Sequence, residues 1–206
     1  LNKLPILNFM SLSTRYNGNY NWNAAPLALE NLGNTIQNSQ SRQYNGQINL
    51  TTLYNKVPYF KKLNKGNNTR GRPTRNRVKD EDEETEDKFE FFKHLTRFAL
   101  GVKNISVSYS ENQGTMLPGF IPQPSLLGQQ WSSMAPSIPF VLGSQRDIRN
   151  TAAQQGWITQ DSSLNTQYKQ NSSTNLTLRS TVEPIKQFRI ELNASKNTSS
   201  NNQEYF

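Results

Sequence analysis

The chain has 206 residues and a net charge of +8, and only 33% of its residues are hydrophobic. This is a low apolar content for one compact core of that length, so much of the chain must face water or be ordered in another way. The absence of cysteine and the single histidine exclude disulfides, thiolate chemistry and a multi-histidine metal site. We therefore expect neither an enzyme nor a bound cofactor or metal ion.

The first part of the chain alternates between apolar and polar residues, which is the pattern of half-buried strands. In residues 12–22 the even positions collect the apolar and aromatic side chains, and residues 23–34 form a loop. A second, longer strand is predicted over residues 35–53, with four apolar residues on one face: Ile36, Tyr44, Ile48 and Leu50. Its length is unusual for a soluble strand and favours a barrel wall.

Charged residues concentrate after the second predicted strand. A basic region, residues 56–79, precedes the acidic run 80–87, and the two blocks largely cancel. Because the Arg-rich part has no interleaved aromatic residues, nucleic-acid binding is not favoured, and we predict a solvated charged insertion over residues 54–98. A turn or short helical element is expected in residues 53–63, and a helix in residues 88–100, where His94 is a packing residue.

A third strand is predicted over residues 102–112, ending before Gly114. The Pro-rich residues 115–162 follow as a long loop, with a short helix over residues 145–155. Loops of this length are functional or disordered, and the aromatic content favours an ordered one. Four large aromatic residues are its candidate loop or partner contacts: Phe120, Trp131, Phe140 and Trp157.

The most regular alternation lies near the C-terminus. Residues 174–182 and 188–194 each have one apolar and one polar face, and the short link 183–187 contains Pro184, which predicts a β-hairpin. Each arm has about the ~9 to 11 residues that a tilted transmembrane strand needs. The residues of the hairpin alone permit two interpretations, a soluble sandwich and a membrane-spanning hairpin.

Together these segments predict an all-β fold, an antiparallel up-and-down transmembrane β-barrel segment of about five strands that does not close on its own. A membrane barrel reconciles strand alternation with low hydrophobicity, since only alternate residues contact lipid. Its predicted lipid-facing residues are Ile48, Leu50, Ile105, Val107, Leu176, Leu178, Val182, Phe188, Ile190 and Leu192. If the 183–187 turn is periplasmic, residues 54–98 lie on the same side and the loop 115–162 is extracellular or lumenal.

Several runs resemble the SprA/Sov family of giant outer-membrane proteins of Bacteroidetes. The resemblance covers most of the chain, in matching order, except for the charged residues 66–88. The runs that carry it are LGNTIQNS (32–39), NGQINLTTLYNKVP (45–58), VSYSE (107–111), LPGFIP (117–122), GWIT (156–159), EP (183–184) and RIEL (189–192). The chain also begins without Met, signal peptide or long apolar run, so we expect an internal fragment of such a protein.

The resemblance implies a part of the outer-membrane translocon of the type 9 secretion system, which exports folded cargo and supports gliding motility. It also implies a PorV-like shuttle, a periplasmic plug protein and secreted cargo as partners, beside outer-membrane lipid. Two other classes stay open on the residues alone. One is a TonB-dependent or other outer-membrane transporter, and the other is a soluble surface glycan-binding or adhesion domain with Trp131 and Trp157 as stacking platforms.

Overall fold

The computed structural model describes residues 7–57, 100–185 and 187–206. In this part of the chain five strands form one antiparallel sheet, in which each strand pairs with the next along the chain. The predicted all-β, up-and-down architecture is confirmed, and the five-stranded sheet is not closed. The strands are β1 (Met10–Asn23), β2 (Asn34–Asn49), β3 (Val102–Phe120), β4 (Tyr168–Ile185) and β5 (Phe188–Glu204).

The third strand is longer than predicted. It does not end before Gly114 but continues to Phe120, so the first residues of the predicted loop 115–162 belong to the sheet. Gly114 marks a close approach of β4 instead, since a Cβ at this position would lie 2.6 Å from Oδ1 of Asn171. A glycine within a strand pattern can mark either the end of the strand or a position where another segment approaches closely. Gly114 is of the second kind.

The C-terminal hairpin is confirmed and is longer than its predicted arms. Strands β4 and β5 have 18 and 17 residues, and β5 ends at Glu204. Pro184, predicted in the turn, is the last residue but one of β4. It is tolerated there because the strand stops immediately afterwards, where a missing backbone donor matters least. Gln187 in the turn has a positive φ of 71°.

Short helices fill the connections between strands. A 3-10 helix, Leu27–Leu32, lies in the predicted loop between β1 and β2. Helix α1 spans Leu50–Lys56, and α2 and α3 span Ile138–Val141 and Arg149–Gln154. Helix α3 lies inside the predicted helix 145–155. Among the described residues no helix is long and apolar enough to cross a membrane.

The start of α1 corrects the predicted second strand, which ended at residue 53. Strand β2 stops at Asn49, whose side-chain Oδ1 accepts a hydrogen bond from the backbone N–H of Thr52 at 3.0 Å. This contact caps the first turn of α1, so Leu50 is helical and not a strand residue. The predicted charged insertion 54–98 and the helix over 88–100 lie almost entirely outside the described residues.

The described residues divide into two compact units, and every strand contributes to both. The first unit takes residues from Leu1–Leu12, Asn45–Val107 and Thr177–Ala194, and the second from Ser13–Tyr44, Ser108–Leu176 and Ser195–Phe206. The main hydrophobic core belongs to the second unit. It consists of Ile36, Leu117, Phe120, Ala135, Phe140, Ile148, Ala152, Trp157 and Tyr168.

Candidate functional site

The first unit carries an apolar groove on one face of the sheet. Strands β3, β4 and β5 line it, and its volume is about 440 Å³. The groove forms because alternate residues of neighbouring strands point to the same face. All of its lining residues except Ser180 are aliphatic: Val102, Ile105, Leu178, Val182, Ile190 and Leu192.

The apolar side chains of this sheet face are partly exposed. Leu178 is 41% exposed and Leu192 is 55% exposed, whereas Val182 is buried. Leaving such surface in water costs about 25 cal/mol per Å², and a contiguous exposed apolar patch marks an interaction surface. The groove is therefore the candidate site of this chain.

The structure brings five of the ten predicted lipid-facing residues together in the groove, namely Ile105, Leu178, Val182, Ile190 and Leu192. Three others are exposed strand residues outside its lining, Val107, Leu176 and Phe188. Ile48 is a half-buried residue of β2, and Leu50 is half-buried in α1. The prediction that Leu50 faces lipid was based on strand alternation, which does not apply because Leu50 belongs to α1.

The opposite face of the hairpin is polar. It includes Arg189, whose Nη2 lies 2.8 Å from Oε1 of Glu191, and both side chains are more than 60% exposed. An ion pair this exposed contributes little to stability, about 0 to 1 kcal/mol. The hairpin therefore separates a wet, charged face from an apolar one.

In the second unit the residues between β3 and β4, 121–167, fold back over the sheet, and we call them the covering segment. Its residues 157–159 pair with the end of β3. The Ile121 N–H donates to the Trp157 carbonyl, and the Thr159 N–H donates to the Gly119 carbonyl, both at 2.8 Å. The expected ordered segment is thus present, because backbone pairing and core packing both hold it.

The four aromatic residues predicted as loop or partner contacts have two different environments. Phe120, Phe140 and Trp157 are buried in the core of the second unit, while Trp131 is 47% exposed. The first three therefore hold the covering segment on the sheet and are not available to a partner. Only Trp131 remains as a candidate contact.

Buried amides fasten the covering segment to the sheet. The side-chain Nδ2 of Asn38 donates to the carbonyls of Phe140 and Ser144, at 2.9 and 2.7 Å. Its Oδ1 accepts from Nε2 of Gln145 at 3.0 Å, and Oε1 of Gln145 accepts from the Thr115 hydroxyl at 2.8 Å. These residues replace apolar packing with satisfied hydrogen bonds, which accounts for part of the low hydrophobic content.

Two glycines allow the segment to approach the sheet closely. A Cβ on Gly18 of β1 would lie 2.3 Å from the Leu142 carbonyl oxygen. A Cβ on Gly143, which has a φ of +96°, would lie 2.7 Å from the carbonyl oxygen of Ser39. The hydroxyl of Tyr16 donates to the same Leu142 carbonyl at 2.6 Å. The backbone of the segment therefore rests directly on strands β1 and β2.

Further polar residues lie on the same face of β2 and β3 as Asn38 and Thr115. We call them the polar band: Gln40, Arg42, Glu111 and Gln113. The Arg42 Nη2 donates to Oε1 of Gln40 at 3.0 Å, and Nε2 of Gln113 donates to Oε1 of Glu111 at 2.9 Å. Gln40 and Gln113 are also hydrogen-bonded to each other. Tyrosines accompany this band: the Arg42 guanidinium lies 5.9 Å from the ring centroid of Tyr16, and the rings of Tyr44 and Tyr109 are 6.0 Å apart.

Neither this band nor the buried amides were among the residues predicted from the sequence. Asn38 and Gln40 are polar residues on the same alternate positions as buried Ile36, which was the available signal. Their partners are distant in the chain, since Asn38 and Gln145 are 107 residues apart. Strand alternation alone does not identify such contacts.

An arginine anchors helix α3. The Arg149 guanidinium donates to the Asp147 carboxylate at 2.8 Å, pairs with Glu204 near the end of β5, and lies 4.3 Å from the Tyr168 ring centroid. The hydrogen bond from Arg149 holds the pKa of the Asp147 carboxyl below its ordinary value. The pKa of Arg149 is raised, mainly by its hydrogen bond to Asp147. The pair is therefore charged at neutral pH.

Within residues 7–57, 100–185 and 187–206 no group of three or more His, Asp or Glu side chains could hold a metal ion. The described residues instead provide an open apolar groove, a polar face opposite it and a covering segment fixed to the sheet. These features suit contact with another apolar surface. Among known proteins, no family model matches the chain and no curated protein sequence matches it.

Proposed function

We propose that this chain forms part of the wall of an outer-membrane protein-conducting channel, the translocon of the type 9 secretion system, which exports folded cargo and supports gliding motility. The observation that carries the proposal is the open apolar groove on an unclosed sheet of long strands. The resemblance of the sequence runs to the SprA/Sov family supplies the particular system.

The mechanism is structural. The apolar face, with Leu178 and Ile190, contacts lipid, while the opposite face of the hairpin, with Arg189 and Glu191, faces a wet lumen in which cargo stays hydrated. Strands β1 and β5 are the edges of the described sheet, and a membrane wall requires each of them to pair with a neighbouring strand. No covalent bond is made or broken.

The proposed partners are outer-membrane lipid, secreted protein cargo, a PorV-like shuttle and a periplasmic plug protein. The last two rest on the family resemblance. A TonB-dependent transporter would use the same kind of sheet, so the identity of the cargo separates the two classes. The glycan-binding alternative loses support because Trp157, one of its two stacking platforms, is only 6% exposed.

Neighbouring residues of β4 provide a test of the channel function. A photo-crosslinking amino acid at Thr181, on the predicted lumen side, should give adducts with secreted cargo during export. The same amino acid at Val182, which lines the groove, is the matched control and should give none. Cargo adducts at neither position during active export, or a nutrient receptor's ligand in place of cargo, would contradict the proposal.

A further inference from the structure

A long stretch of uncharged residues begins in β3 and extends into the covering segment. From Asn112 to Gln145 the sequence contains no Asp, Glu, Lys, Arg or His, although charged residues make up 18% of the chain. Glu111 and Arg146 flank this stretch. Water-exposed protein surfaces normally carry a quarter or more of charged residues, so a surface built from this stretch is poorly suited to water.

The same stretch exposes large apolar side chains. The core beneath it is already formed by Phe120, Phe140 and their neighbours, so these outer residues are not required to fill it. Isolated apolar residues at a surface need no explanation, but seven of this size in one uncharged segment do. They are between 46% and 74% exposed: Ile121, Leu126, Leu127, Trp131, Met134, Ile138 and Leu142.

Two of these residues lie in turns with unfavourable backbone geometry. Leu127 and Met134 have φ values of +56° and +55°, in the left-handed region that Gly or Asn adopts at lower cost. Leu127 belongs to the turn closed by the Leu126–Gln129 bridge, and Met134 to that closed by the Gln130–Ala135 bridge. A bulky apolar side chain kept in such a turn indicates a use outside the fold.

We propose that the covering segment inserts the side chains of these two turns into the interfacial region of the bilayer. The absence of charge is what distinguishes lipid from a protein partner, whose interface normally has a polar and charged rim. Trp131, between the two turns, has the amphipathic ring that favours the membrane interface. The inference rests on the proposed function, which supplies the membrane.

The absence of cysteine allows single labelling sites. The protein carrying Leu127→Cys or Met134→Cys is labelled with an environment-sensitive fluorophore and reconstituted in phosphatidylcholine vesicles that contain brominated lipid. Two control sites are Leu178→Cys in the groove and Ser162→Cys, an exposed polar position of the covering segment. We expect lipid quenching and a blue-shifted emission at 127, 134 and 178, and neither at 162.

The outcomes separate this inference from the proposed function. Quenching at 178 without quenching at 127 and 134 overturns the inference and leaves the channel wall standing. Protection of 127 and 134 from aqueous iodide without lipid quenching also overturns it, because a protein then covers the turns. Absence of lipid quenching at all three positions overturns both.

A second variant removes the apolar side chain without breaking the turn. Leu127→Asn places a residue that tolerates a positive φ in the same turn, so the fold should be preserved or stabilised. We expect the label at position 134 to lose part of its lipid quenching in this variant, while the label at 178 is unchanged. Unchanged quenching at 134 would contradict a joint insertion of the two turns.

Discussion

The replacement Gly18→Ala tests how the covering segment is held on the sheet. The added methyl group would lie 2.3 Å from the Leu142 carbonyl oxygen and 2.9 Å from its carbon. To regain ordinary van der Waals distance, the backbone at Leu142 must move away by roughly 1 Å. That movement acts on a rigid contact, since the Leu142 carbonyl also accepts the Tyr16 hydroxyl and Gly143 packs closely against β2.

Overpacking at a well-packed contact of this kind costs about 1 to 3 kcal/mol. The expected result is a weaker attachment of the segment, seen as faster hydrogen exchange at the Leu142 and Gly143 amides and faster proteolysis between α2 and α3. The matched control is Gly46→Ala, a glycine of β2 whose new Cβ would be 4.0 Å from its nearest neighbour, the Val107 carbonyl oxygen. Equal exchange rates in the two variants would refute the close-contact argument.

Three further changes test the same attachment. Asn38→Leu removes three hydrogen bonds between the sheet and the covering segment and should destabilise the second unit by about 1 to 3 kcal/mol in denaturant unfolding. Trp157→Ala should cost about 3 to 5 kcal/mol, whereas exposed Trp131→Ala should be almost neutral in the same assay. Because Arg149 lowers the pKa of Asp147, their ion pair stabilises α3 fully at a pH above the ordinary carboxyl pKa of about 4. This stabilisation is lost as the pH falls through the lowered pKa, so proteolysis near α3 should become faster in acid. In Asp147→Asn that part of the acid dependence should be absent.

The strands were predictable because their signal is local. In β4 and β5 each residue's side is fixed by its position in the alternation, so Leu178, Val182 and Ile190 could be assigned to one face without knowledge of any partner. The pairing of β4 with β5 followed from the short connection between them, and the order of the other strands from the tendency of consecutive strands to lie next to each other.

The strand ends were less predictable, because a neighbouring strand or a cap decides them. Gly114 lies inside β3, where it makes room for Asn171, and Asn49 ends β2 by capping α1. In both cases the deciding contact is with another residue, so the residue type alone leaves two outcomes open.

The covering segment was predictable as ordered, but its packing was not. Trp131 and Trp157 are equivalent in sequence terms, yet one is exposed and the other lies in the core. Trp157 belongs to the core and pairs with the end of β3 through the Ile121 N–H, while Asn38 and Thr115 hold other parts of the segment from strands far away in the sequence. Such long-range polar contacts leave no periodic pattern to read.

In the proposed channel wall, one face of the β4–β5 hairpin contacts lipid and the other does not. This orientation is tested most directly by two adjacent arginine substitutions, Leu178→Arg in the groove and Thr177→Arg on the opposite side, with unfolding free energies measured for the protein assembled in vesicles. We expect a loss of about 2 to 4 kcal/mol for Leu178→Arg near the bilayer midplane and almost no change for Thr177→Arg. Equal losses in the two variants, or a larger loss for Thr177→Arg, would contradict this orientation.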